Sequence, residues 1–357
     1  MRGNRKLKFL DRTVGYFLLL VIRLFHKRRA RPKVQTITFF IPAAIGDSLL
    51  IGLIAEDLKR KNPLLKLYLV GSKESTMVAP FFQAYDEVHA ISVGEFWRTL
   101  RKIRCLNSSV LLDFSQWSKI SAIYAALAPG YRVGFKTPGF WRSFCYDQTV
   151  NHSASVHEFI NFRNLVSKGL GVELPEIPHF IGEKEICKPQ VVLHMMPSGE
   201  RSHLKLWPEK NWFHLIKFFT QSGRHVFLTG SKEDRPKLEA FLSECQLLSN
   251  ELVHITAGQS SLSDTKKLIA ESELIISVNT GVMHLASLMN KNVISLNGPT
   301  NSQRWGGLGE NTINIQSRLP CSPCLNLGFE YGSNANDCMK AITVDEVIER
   351  VKGFGIQ

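Results

Sequence analysis

What this 357-residue chain lacks narrows its class first. It has no long apolar run. VGYFLLLVI, Val14 to Ile22, with Leu24 and Phe25 just beyond Arg23, is about half of the roughly 20 residues a spanning helix needs. No small-residue cleavage site follows it; HKRRARP does, so a secretory signal peptide is not expected. Cysteine is sparse. Seven scattered cysteines, an odd number, speak for a reducing compartment and against a disulfide framework. Acid is nearly missing from the first 33 positions, where eleven Lys/Arg stand against Asp11 alone. The rest holds 33 bases and 30 acids, so the net charge of +13 belongs to a tail. Because that charge does not recur through the body, nucleic acid is not an expected partner.

What is present fits a two-domain globular protein, with 44% hydrophobic residues and enough length for two cores. In the tail, residues 1–33, bases flank both ends of the short apolar run. Such a segment suits a membrane interface, its cations at anionic headgroups. The other reading is a helix packed on the protein's own surface. RTLRKIR, Arg98 to Arg104, either continues a membrane-facing patch or is the outer face of an ordinary helix.

From Gln35, strand-like runs alternate with helical ones. TITFFIP (36–42), KLYLV (66–70) and VLLDF (110–114) are separated and followed by helical stretches at 48–61, 94–104 and 116–128. That rhythm predicts an α/β fold with a parallel sheet. A looser part contains YRVGF (131–135) and the helical HEFINFRNLVSKGLG (157–171). A Pro-rich stretch, 176–188, reads as a linker between a domain at 34–175 and one at 189–357. The second domain repeats the pattern, with strands at 190–195, 225–230, 252–256, 274–278 and 292–298. Its helices are expected at 208–220, 236–245, 263–271 and 282–289, and a last one at 344–352. With two such domains, the cleft between them is the expected site.

Three loops carry chemistry. In IPAAIGDS, Gly46 permits a tight turn, and Asp47 or Ser48 would fall at the helix N-cap. Asp47 is thus either a capping carboxylate or a general base. In LHMMPSGERSHLKLWPEKNW, the small residues Ser198, Gly199 and Ser202 accompany Arg201 and Lys205. This suits an anionic ligand, or else is a surface loop. In LIISVNTGVMHLASLMNKNVISLNGPT, a buried strand ends at Asn279-Thr280-Gly281 and a helix starts at once. Its free N–H groups make a phosphate seat. His284, one turn in, is more often a packing residue than a catalyst. CSPC (Cys321, Cys324) and Cys338 hint at zinc, but three thiolates do not close a four-ligand site.

These stretches resemble glycosyltransferase family 9, the ADP-heptose:lipopolysaccharide heptosyltransferases. GDSLLIGLIAEDLK is similar to the family's first-domain motif, LKLWPEKNW to its Lys-x-Trp-Pro motif, and NTGVMHLA to its Asp-Thr-Gly-x-x-His-Leu-Ala signature. The resemblance runs from about Gln35 to the C-terminus. It implies a GT-B fold, two Rossmann-like domains, and an inverting, metal-independent transfer without cofactor. The donor is a nucleotide-diphosphate sugar and the acceptor a lipopolysaccharide-type glycolipid, at the cytoplasmic face of the bacterial inner membrane. By the same resemblance Asp47 is the base, with Gly46 and Ser48 on the acceptor side. Lys205 neutralises the leaving diphosphate, and Thr280 and Gly281 donate N–H groups to it. Glu233 or Asp234 holds the ribose; Ser198, Asn279 and His284 line the donor site. A non-catalytic nucleotide-sugar-binding scaffold is the alternative. Two departures stand out: Asn279 replaces the family's Asp, and a cysteine between CxxC and the last one is missing.

Overall fold

The computed structural model describes residues 9, 11–42, 44–182, 187–199, 201–325 and 334–357. Arg2, Arg5, Lys6 and Lys8 of the tail, part of the expected linker, and Glu330 near the cysteines lie outside the described residues. The chain divides into two compact units, Met1–His179 and Phe180–Gln357.

Unit 1 is built on a six-stranded parallel sheet. Its strands are β1 (Thr36–Ile41), β2 (Lys66–Gly71), β3 (Glu87–Ala90), β4 (Val110–Asp113), β5 (Tyr131–Lys136) and β6 (Gln148–Asn151), in the order β3-β2-β1-β4-β5-β6. Phe39, Phe40 and Ile41 of β1 are all fully buried, as befits a central strand covered on both faces. The helices are α1 (Val14–Phe25), α2 (Ile45–Lys61), α3 (Phe96–Leu106), α4 (Lys119–Leu127) and α5 (Glu158–Leu170). β3 and β6 escaped the sequence reading. EVHA and QTVN are short, partly polar edge strands without an apolar run.

Helix α1 is part of this unit. It packs on α4, and Leu19 is fully buried in a cluster with Ala122 and Ala125 of α4. Gly15 allows the approach: a Cβ there would lie 3.0 Å from the Lys119 Cβ. The chain after α1 is also tied down. The Arg29 N–H donates to Asp147 Oδ1 at 2.8 Å, and Arg31 donates to Gln148 and to the Lys168 carbonyl.

Unit 2 repeats the plan. Its sheet holds β7 (Lys188–His194), β8 (His225–Leu228), β9 (Val253–Ile255), β10 (Ser272–Val278), β11 (Val293–Asn297) and β12 (Thr312–Gln316), in the order β12-β11-β10-β7-β8-β9. Its helices are α6 (Glu209–Gln221), α7 (Arg235–Glu244), α8 (Leu262–Glu271), α9 (Gly281–Leu288) and α10 (Val344–Gly353). Val191, Leu193, Leu274, Ile276 and Ile294 form the centre of its core. The edge strand β12, TINIQ, is the one the sequence reading missed here, again because it is half polar.

Candidate active site

In each unit the strand order reverses once, and the loops at that point open the crevice where parallel α/β sheets hold ligands. In unit 1 the reversal lies between β1 and β4, which pair Phe40 with Asp113. In unit 2 it lies between β7 and β10, which pair His194 with Ser277. Asp47 follows β1. Lys205 follows β7, and Thr280-Gly281 follows β10. Asp47, Lys205 and Thr280-Gly281 therefore fall at the switch points of their own sheets, whereas Glu233 and Asp234 follow β8, the strand next to β7.

The Asp47 loop corrects one expectation. The N-cap is Ala44, extended at φ −86° and ψ 169°, so neither Asp47 nor Ser48 caps the helix. The helix starts earlier, at Ile45, because Ser48 Oγ bonds back to the Ala44 carbonyl at 3.0 Å and fixes the first turn from within. Gly46 and Asp47 lie inside that turn. The Asp47 side chain is buried, and its negative charge complements the positive end of α2.

Sequence reasoning missed what stands across the switch point. Asp113, fully buried at the end of β4, accepts from Arg142 at 2.5 Å, Tyr146 at 2.6 Å and Ser121 at 2.6 Å. Arg142 also donates to the Ser118 and Ser115 carbonyls. Burial first, and then the Asp113 carboxylate, push the Tyr146 phenol well above its usual range, with the Arg142 guanidinium opposing them. No local pattern flags this network, because its members lie up to 33 residues apart.

In unit 2, Lys205 ends a single 3-10 turn, Ser202–Lys205, and is half-buried. Trp207 holds this loop. Its indole donates to the Ile342 carbonyl at 2.8 Å and meets Trp212 edge-on. A buried Trp two residues after the lysine thus fixes where the cation stands. Ser198 is exposed and Arg201 donates to Asn334. Across the switch point, Thr280 is the N-cap of α9 and Gly281 its first residue; the Thr280 hydroxyl pairs with Ser277 at 3.1 Å. His284 is buried.

Asn279 explains its own departure from the family pattern. Its amide donates to Asn297 Oδ1 at 3.0 Å and to the Trp305 carbonyl at 2.7 Å. It ties the end of β10 to the loop after β11, and a carboxylate could make neither bond. Asp234 accepts from the Ser231 N–H and hydroxyl, both at 2.8 Å, and shapes the turn before α7; Glu233 is exposed beside it.

Two further groups join this edge. Thr300, in the loop after β11, has a buried hydroxyl with no partner among the described residues. Such a group is rare enough to require a cause. His194, the last residue of β7, bonds Thr229 at 2.9 Å through Nδ1. Desolvation pushes its imidazole down to about 4, so it is neutral at pH 7. His194 lay in a run read only as strand; its place before the cationic loop was the available signal.

Of the cysteines, Cys321 is exposed, Cys324 half-buried and Cys338 buried. Burial, helped by Cys324 and Cys321 nearby, raises the Cys338 thiol to about 11. Among the described residues no group of three His, Cys, Asp or Glu could hold a metal ion.

The family model of glycosyltransferase family 9 (heptosyltransferase) matches residues 96–332. The chain belongs to glycosyltransferase family 9. It is 25% identical over 244 residues to lipopolysaccharide heptosyltransferase 1 of Salmonella typhimurium, covering 64% of this chain and 71% of that one. To lipopolysaccharide heptosyltransferase 1 of Pseudomonas aeruginosa it is 31% identical over 196 residues, about half of each chain (51%). The structure of E. coli heptosyltransferase WaaC with ADP superposes with a TM-score of 0.73 at 18% identity, covering 90% of this chain and 100% of that one. The family 9 chain is a glycosyltransferase with a GT-B fold of two Rossmann-like units.

Proposed function

We propose that the chain transfers heptose from ADP-heptose to a membrane-borne lipopolysaccharide precursor, with inversion and without a metal ion. One observation carries the chemistry: a cation fixed by a buried indole and the N-terminus of α9 flank one switch point, where the ends of β7 and β10 pair as neighbours. Displacement at an anomeric carbon creates a diphosphate anion on the leaving side and needs a base on the entering oxygen. Lys205 and the backbone N–H groups at Thr280-Gly281 take the first role, and Asp47 the second. Glu233, beside the Asp234 turn, faces the ribose hydroxyls. The names of its relatives supply the sugar and the acceptor class.

Membrane contact is assigned to the tail. The outer face of α1 carries Phe17, Leu18, Val21, Leu24 and Phe25 exposed, with Leu24 at 81% and Phe25 at 82%. Bases stand at both ends of the helix. No helix among the described residues is long and apolar enough to cross a membrane. The segment lies on the surface, at the cytoplasmic side of the inner membrane where ADP-sugars are available.

The test is transfer from ADP-heptose to a deacylated acceptor, followed by ADP release. Asp47→Asn lowers turnover by about 10²–10⁴-fold while ADP still raises the melting temperature. Normal turnover by this variant sinks the assignment of the base. A non-catalytic scaffold, the reading that Asn279 favours, would bind the nucleotide-sugar and release no ADP with acceptor present.

A further inference from the structure

Helices α1 and α3 both pack on α4, and Leu19, Leu100, Ile103 and Ala122 share one buried cluster. The three helices therefore cover one face of the first sheet, and the outward surface of that layer belongs largely to α1 and α3. On α3, Trp97, Arg101 and Arg104 recur at i, i+4 and i+7, so they form one stripe. All three are exposed, Trp97 at 79%.

A second exposed indole belongs to the same unit. Trp141 is 64% exposed and has φ +48°, a region that bulky residues rarely adopt. The next residue, Arg142, is completely buried and bonded to Asp113, Ser115 and Ser118. Phe144, just beyond, meets Tyr16 of α1 edge-on. A strained backbone locked by a buried ion pair to hold an indole in solvent serves something outside the fold. Trp97 opens the helix after β3, and Trp141 follows β5. Both stand at the carboxyl edge of the sheet, the edge that carries Asp47.

We propose that Trp97 and Trp141 anchor this edge of unit 1 in the interface of an anionic bilayer, with Arg101 and Arg104 on lipid phosphates. The inference rests on the membrane reading of α1 given above and extends it to a defined orientation. Indoles favour the headgroup depth because one end is apolar and the other wet. Exposed arginines on the same stripe match a negative surface potential. An acceptor that cannot leave the bilayer then meets the edge where Asp47 stands.

Cosedimentation of the full chain with phosphatidylethanolamine–phosphatidylglycerol vesicles, against pure phosphatidylcholine vesicles, tests this. The variants are Trp97→Ser with Trp141→Gly, Arg101→Glu with Arg104→Glu, and, on α1, Phe17→Ser with Val21→Ser and Leu24→Ser. Glycine at 141 accepts the positive φ, and each single exchange replaces its pair if the pair does not fold. The wild type binds the anionic vesicles, and each α3 or indole variant loses at least about fivefold in affinity. If the α1 variant fails and the indole pair binds like wild type, the indole anchors are wrong and the α1 reading stands. If the indole pair fails and the α1 variant binds fully, the anchors stand and the α1 reading falls. If nothing binds, or no variant weakens binding, both fall. Intact vesicle binding with a raised KM for a deacylated acceptor makes the indoles sugar contacts and overturns the proposal.

Discussion

Asp11 caps a helix that begins 108 residues later. Its carboxylate accepts from the backbone N–H of Lys119 at 3.1 Å and of Ile120 at 2.8 Å, at the start of α4. It is the one acid of the basic tail, and it is buried. Ser118 completes the cap by accepting from Ser121 N–H. The tail and the first sheet are therefore joined by a charge placed against a helix dipole.

Asp11→Ala removes that cap. The expected loss is about 1 kcal/mol, read as a lower midpoint in denaturant unfolding. Trypsin should also reach Arg12 and Arg23 sooner, because α1 loses its tie to α4. An unchanged midpoint with unchanged cleavage would mean that the packing of Leu19 and Gly15 alone holds α1.

The tail also shows what the sequence could reveal. Its charge and its short apolar run were legible, since both are local. That Asp11 would find Ile120, or that Arg29 would bond Asp147, was not, because those partners meet only when the sheet forms. The same holds at the site. Asp47, Lys205 and Thr280-Gly281 were visible as loop chemistry after strands. The Asp113–Arg142 network depends on contacts no local pattern encodes, and the burial of the Thr300 hydroxyl, in a loop the sequence does place at this edge, shows only in the fold. Strands with apolar runs, such as TITFFI, declared themselves; EVHA, QTVN and TINIQ are edge strands, half exposed, and carry no such signal.

Asn279→Asp tests the altered signature. A carboxylate there faces two acceptors, Asn297 Oδ1 and the Trp305 carbonyl, and can donate to neither. The variant should lose about 1–3 kcal/mol, measured by urea unfolding. Asn279→Asp with Asn297→Asp should not recover it, because like charges would then meet. A variant as stable as wild type would show that the loop after β11 reorganises without cost.

Thr300→Val separates a ligand group from a structural one. The hydroxyl is buried with no partner among the described residues, so an isosteric methyl should not lower stability and should raise it by up to about 1–3 kcal/mol. If the hydroxyl bonds the nucleotide part of the donor, ADP affinity drops by about 0.5–1.5 kcal/mol, read by isothermal titration. Unchanged ADP affinity would place Thr300 outside the nucleotide part of the donor site.

Acid should lower stability over two separable pH windows. Burial alone would raise the Asp147 carboxyl, but the Arg132 guanidinium and the N–H groups of Arg29 and Arg132 outweigh it and hold the group below its ordinary value. A depressed carboxylate stabilises the fold above its unfolded pKa, about 3.9, and this contribution is lost as pH falls through the folded value. His26, 3.7 Å from Asp147, is lowered by burial first and then by Arg132, with Asp147 opposing. A depressed histidine must be protonated on unfolding, so its contribution begins to disappear lower still in the scale than neutral pH, from about 6.5 downward. Wild-type stability should thus decline below about pH 6.5 and again below about pH 4. His26→Gln should weaken the upper decline and keep the lower one, because His194, held down at about 4, and His254, also depressed, still contribute to the upper window. Asp147→Asn should cost about 3 kcal/mol at pH 7, and its deficit against wild type should shrink below about pH 4. Asp86, also lowered, titrates in that same acid window through its Lys59 and Leu67 bonds, so the variants, not the wild-type curve, decide which group is responsible. A deficit for Asp147→Asn that stays constant from neutral pH into the acid range would show that its loss reflects packing alone.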